Sequence, residues 1–126
     1  MTQFTLLIAS IYGGLSVLFG AFGAHALKKI LTEEQLKSFE TGVRYQLYHA
    51  IVLLIIGFQF PLETASERWM VYCFVIGTFL FSFSIYGLVI SSAKNKKIKL
   101  LGPITPLGGL LLLMGWSLLT YTILQH

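Results

Sequence analysis

The chain has 126 residues, of which 56% are apolar and only 11% charged, with nine Lys or Arg against five Asp or Glu and a net charge of +4. Soluble globular domains carry about a quarter charged residues; here every charge falls within 28–44, 63–68 or 94–99, leaving charge-free runs at 2–27, 45–62, 69–93 and 100–126. With a single cysteine, this pattern excludes a disulfide scaffold, a disordered chain, a nucleic-acid-binding domain and an ordinary soluble enzyme.

What it predicts is an all-α membrane protein of one domain, residues 1–126, with four transmembrane helices in a bundle. A helix rises about 1.5 Å per residue and the hydrocarbon core is about 30 Å thick, so a span needs roughly 20 apolar residues. The expected spans are about 4–27, 45–62, 69–93 and 106–124. No run alternates in the way a membrane β-strand would. The first span ends in Ala24-His25-Ala26, which has the small-x-small form of a signal-peptide cleavage site. Its start, however, carries no cationic side chain and its apolar stretch is too long, so it is read as a retained helix.

The loop that follows contains Thr32-Glu33-Glu34-Gln35, a capping box, and then Leu36, Phe39 and Val43 at helical spacing with Gly42 at the end. It predicts a short amphipathic helix at the cytoplasmic membrane surface between helices 1 and 2; a plain solvated loop is the alternative. The second span is only 18 residues from Tyr45 to Leu62, and it crosses if Arg44 snorkels to the head groups.

The first and third loops hold eight Lys or Arg, whereas the middle loop holds Arg68 alone between acidic neighbours. The positive-inside bias then places loops one and three in the cytoplasm and both termini outside. Anionic lipid of the inner leaflet is the partner this charge suits, and nucleic acid is not.

Helix four opens with Leu101-Gly102-Pro103-Ile104-Thr105-Pro106. Thr105 as N-cap and Pro106 as first helical residue would start it at 106, with free N–H groups that favour an anion; simple termination of the loop is the blander reading.

Chemistry is sparse. There is no Cys pair, no His-Glu-x-x-His, no Walker loop and no Gly-x-Ser-x-Gly, so no cofactor is expected. Cys73 reads as a small buried hydrophobe. No Asp or Glu falls within a predicted span, which weakens a proton-pump model. The polar residues at membrane depth gather at the cytoplasmic end: His25 closing helix one, Arg44, Tyr45, Gln46 and His49 opening helix two, and Thr105 at the start of helix four. Tyr45, Gln46 and His49 share one helix face by their spacing. They either tie helices together as satisfied polar groups or converge in one pocket for an anionic lipid head group. A metal would need Glu33 or Glu40 as a third ligand. Small residues at spacings of four, such as Ser16, Gly20 and Ala24, serve equally a monomeric bundle or a homo-oligomer.

Three segments together carry a family resemblance: Gly20-Ala21-Phe22-Gly23-Ala24-His25-Ala26-Leu27, Tyr45-Gln46-Leu47-Tyr48-His49-Ala50, and Gly102-Pro103-Ile104-Thr105-Pro106-Leu107-Gly108-Gly109 with Gly115-Trp116 beyond. In these the chain resembles the domain-of-unknown-function 423 family, bacterial membrane proteins of the YgdD and YwdK kind that look related to eukaryotic transmembrane protein 256. The resemblance implies a small multi-pass protein of the bacterial inner (plasma) membrane and implies no reaction, cofactor or catalytic residue. The leading expectation is a non-enzymatic protein binding lipid or partner helices through a cytoplasmic-side pocket of His25, Arg44, Tyr45, Gln46, His49 and Thr105. The rivals are a small-solute or proton transporter and, more weakly, an enzyme acting on a lipid-like substrate.

Overall fold

The structure, a computed structural model, describes residues 1–126. Its four long helices are α1, Thr2–His25, α2, Glu33–Gln59, α3, Ala65–Ala93, and α4, Ile104–Gln125, with 3-10 turns at Leu27–Lys29 and Lys99–Leu101. Each of the four is long and apolar enough to span a bilayer. Large apolar side chains point outward along them: Val17, Phe58 and Leu124 are 69%, 72% and 77% exposed. A water-facing surface would not tolerate so continuous an apolar belt, whereas hydrocarbon does. The chain is a multi-pass membrane protein.

The helices pack as two antiparallel hairpins, α1 with α2 and α3 with α4, laid against each other mainly through α2 and α3. Within the second hairpin the backbones nearly touch. A Cβ added at Gly108 would run into the backbone nitrogen of Phe81 and lie 2.9 Å from the Gly77 carbonyl oxygen. Opposite Gly108, α3 loosens into a single π-helical turn, Phe79–Phe83, the form in which one extra residue is accommodated without ending a helix. Both hairpins contribute to a main apolar core that includes Tyr12, Leu53, Ile56, Met70 and Phe74. A smaller core of Leu27, Leu31, Phe39, Tyr86 and Val89 sits toward the lysine-rich end.

Three expectations change at helix starts. Residues 33–44 are helical and Thr32 and Gln35 form the capping box, with bonds of 3.1 and 3.0 Å. They are not a separate surface helix, however: the same helix runs on without a break to Gln59. Gly42 does not end it. It sits inside α2 with Tyr86 against it, where a Cβ would come within 2.8 Å of the ring, so the glycine serves close approach. α3 starts at Ala65, four residues before the predicted span, because Thr64 and Glu67 form a second capping box. α4 starts at Ile104 with Pro103 as its N-cap residue. Proline's fixed φ suits that place, and Pro106, still within the first turn, loses no intrahelical donor. Thr105 is therefore inside the helix and is not its cap.

α3 closes at the lysine-rich end in a Schellman motif. Asn95 adopts φ 58°, its N–H donates to Ser92 O at 3.1 Å, and Lys96 N–H donates to Ser91 O at 2.9 Å. Asparagine tolerates this left-handed conformation better than most residues. The turn sends Lys96–Lys99 back across the end of the bundle toward α4.

Candidate functional site

The polar residues picked out from the sequence divide between two regions. In the middle of the bundle a set of hydrogen bonds crosses from one hairpin to the other. Gln46 is fully buried; its Nε2 donates to the Tyr12 carbonyl at 2.9 Å and its Oε1 accepts from the Tyr86 hydroxyl at 2.7 Å. The Tyr12 hydroxyl donates to Val75 O at 2.7 Å, and the Ser82 hydroxyl to Gly42 O at 2.7 Å. His49 lies 2.8 Å through Nδ1 from the Tyr45 carbonyl, while the Trp116 indole donates to its Nε2 at 3.1 Å. An indole N–H only donates and a carbonyl only accepts. The partners therefore assign His49 as the neutral imidazole with its proton on Nδ1, and both ring nitrogens are occupied. Both ring nitrogens of His49 and both polar atoms of the buried Gln46 amide thus already have protein partners.

The remaining residues lie apart from these. Tyr45 is partly exposed, with its ring 4.9 Å from that of Phe81 and 6.3 Å from that of His49. Arg44 is exposed and donates weakly to Thr41 Oγ1 at 3.4 Å, beside a small niche of about 240 Å³ with Gly20, Gly23 and Glu40. His25 ends α1 in an exposed position. The Thr105 hydroxyl is 2.5 Å from that of Ser84. The single pocket predicted from His25, Arg44, Tyr45, Gln46, His49 and Thr105 is thus not formed by these six together. The reason lies in α2: as one continuous helix it turns Gln46 into the seam between hairpins and carries Arg44 to a different face.

The lysine-rich end does hold a larger cavity, of about 690 Å³, and Thr105 is on its wall. It opens where the seam between hairpins splays. The first turns of α2 supply Glu34, Gln35, Ser38 and Thr41; α3 supplies Ile85, Leu88, Val89 and Ser92; the connection and α4 supply Lys97, Lys99, Gly102, Thr105 and Pro106. The volume is within the usual range for small-molecule sites, roughly 300–1,000 Å³. Cationic and hydroxyl groups at its mouth stand beside an aliphatic wall from α3. Such a lining matches the two halves of an amphiphile. From the sequence Ser92, with Ser91, closes helix three on the same side as the other polar residues, whereas Ser38 gives no sign of its own within the 28–44 segment. The signal available was Gln35 and Ser38 one turn apart on a capped amphipathic helix.

At the opposite end Glu67 is fully buried. Its Oε2 accepts from Glu63 N–H at 2.8 Å and Thr64 N–H at 3.3 Å, and its Oε1 lies 3.5 Å from His126 Nε2. This carboxylate completes the start of α3, where the helix dipole favours it.

Comparison with known proteins agrees with the fold. The profile of the family described as "Protein of unknown function (DUF423)" matches residues 19–109. A UPF0382 membrane protein of Staphylococcus aureus is 35% identical over 114 residues, covering 90% of this chain and 89% of its own. A UPF0382 membrane protein of Schizosaccharomyces pombe is 36% identical, covering 87% of this chain and 92% of its own. The UPF0382 inner membrane protein YgdD of Escherichia coli K12 is 35% identical, covering 94% and 87%. No solved structure matches. The chain belongs to the DUF423 family.

Proposed function

We propose that this chain is a non-enzymatic protein of the bacterial inner membrane that holds a phosphate-bearing lipid head group in the cavity at its lysine-rich end. The observation that carries this reading is the lining of that cavity, which brings together Lys97, Lys99 and Thr105 with the aliphatic side chains of Ile85, Leu88 and Val89. An ammonium at the membrane surface attracts an anionic head group by about 1 kcal/mol, and an aliphatic wall suits the acyl end. The positive-inside bias directs this end to the cytoplasm, and the name of the Escherichia coli relative supports the inner membrane as the setting. In this reading Gln46 and His49 hold the two hairpins together, while Arg44 adds to the positive charge of the same membrane surface, where His25 also lies.

The test is lipid retention. The protein is purified in mild detergent, and bound phospholipid is counted by native mass spectrometry. Lys97→Ala with Lys99→Ala should lower retention by about thirty-fold, from two lost contributions of about 1 kcal/mol each. Retention equal to the parent protein would refute the reading.

A further inference from the structure

The same cavity has a chemical selectivity written into the groups that find no partner inside the protein. This selectivity rests on the lipid-phosphate reading above and narrows the head group. Gln35 lines the cavity and uses Oε1 to accept from Thr32 N–H, which leaves its amide N–H₂ without a protein acceptor. The hydroxyls of Ser38 and Ser92 have no hydrogen-bond partner in the protein, unlike those of Thr41 and Thr105, which bond to Lys37 O and to Ser84. Glu34, Lys97 and Lys99 line the cavity, yet none has an opposite charge within salt-bridge distance; the one such pair in the molecule is His126 with Glu67 at the other end.

Two ammonium groups and one carboxylate leave the cavity one positive charge in excess. The best complement is a ligand of net charge −1. The carboxylate also sets a demand, because it only accepts and so calls for a hydroxyl or N–H on the ligand. Ser38, Ser92 and the Gln35 amide add one acceptor-donor pair each or a donor. A phosphodiester carrying free hydroxyls meets all of these: its oxygens face Lys97 and Lys99, and its hydroxyls face Glu34, Ser38 and Ser92. A choline head group offers Glu34 no donor. An ethanolamine head group offers one but is neutral overall, so one lysine remains unmatched. Inorganic phosphate has neither a polyol nor anything for the aliphatic wall. We propose that the cavity selects a monoanionic, hydroxylated phosphodiester head group of the glycerol-phosphate kind, borne on a lipid, over choline and ethanolamine head groups.

The experiment uses the full chain in nanodiscs holding equal parts of phosphatidylglycerol, phosphatidylethanolamine and phosphatidylcholine, followed by extraction and native mass spectrometry of retained lipid. The parent protein should retain phosphatidylglycerol about ten-fold over the other two, as a difference of about 1.4 kcal/mol would give. Glu34→Gln with Ser38→Ala and Ser92→Ala should level that preference by lowering retained phosphatidylglycerol to the amount of the other two lipids. Lys97→Ala with Lys99→Ala should lower retained phospholipid of every kind by about thirty-fold. Retention of all three lipids alike in the parent protein, still dependent on the lysines, overturns the polyol selectivity and leaves the phosphate reading standing. A preference for phosphatidylethanolamine overturns it in favour of a dipolar head group. Indifference to the lysines removes both. Soluble glycerophosphoglycerol, added at concentrations matched to the lipid, should displace little; equal displacement would overturn the lipid source.

Discussion

The middle of the seam between the hairpins and its lysine-rich end treat polar groups in opposite ways. In the middle, Gln46 bonds to α1 of its own hairpin and to Tyr86 of the facing one, and His49 bonds to its own helix and to Trp116 of the facing hairpin. At the end, the hydroxyls of Ser38 and Ser92 and the charges of Glu34, Lys97 and Lys99 have no protein partner. A polar side chain in a lipid-embedded helix is costly unless paired. The paired set therefore explains how the hairpins are held together, and the unpartnered side chains that line the cavity are where a ligand can contribute.

The comparison breaks most easily where hairpins are held by contact of backbone on backbone. Gly108→Ala places a methyl against the backbone of Phe81 and Gly77, atoms that cannot swing aside as a side-chain tip can. α3 and α4 must separate, at a cost of about 3 kcal/mol, the upper part of the overpacking range. Thermal unfolding in detergent should show it as the largest loss among these variants, and a midpoint equal to the parent's would contradict the close approach of the two helices. Next comes the paired region. Gln46→Leu leaves the buried Tyr86 hydroxyl without an acceptor, although the Tyr12 carbonyl keeps the Ser16 hydroxyl at 2.7 Å. A stranded buried donor costs about 1–3 kcal/mol. The same unfolding measurement should fall between the glycine variant and the parent. Trp116→Phe is smaller still: it removes one hydrogen bond to His49 Nε2 at a half-exposed position, and interhelical hydrogen bonds in membranes average about 0.6 kcal/mol. A double-mutant cycle with His49→Phe should return a coupling of that size; a coupling of zero would mean the indole and imidazole do not share a bond.

Much of this arrangement was legible in the sequence because hydrocarbon imposes one simple demand, long uncharged helices, and charge-free runs report it directly. The Thr32–Gln35 capping box was legible too, since it is local. By the same rule Thr64-Ala65-Ser66-Glu67 announces the start of α3, yet a span counted only from apolar residues begins after it. Gly42 shows why local punctuation misleads: as a sequence signal it ends a helix, but in the fold Tyr86 of the other hairpin occupies the space a side chain would need. The pairing of His49 with Trp116, 67 positions away, and of Gln46 with Tyr86 follows from which faces the hairpins present to each other. Nothing in the spacing within α2 encodes that. The cavity is hidden for the same reason, being assembled from the ends of three helices and a loop.

The smallest expected effect on stability sharpens the comparison further, because it separates holding the fold from holding a ligand. Ser38→Ala with Ser92→Ala deletes two hydroxyls that bond to nothing in the protein, one exposed and one half-buried. Surface changes away from packed or bonded features stay within about 0.5 kcal/mol, and alanine is the better helix former at both positions. Thermal unfolding of lipid-stripped protein should therefore match the parent within that margin, in contrast to Gln46→Leu. If the double variant instead lost as much stability as Gln46→Leu, these serines would be structural partners like those of the seam. The division of the molecule into a paired middle and an unpaired end would then fail at the place where it matters for binding.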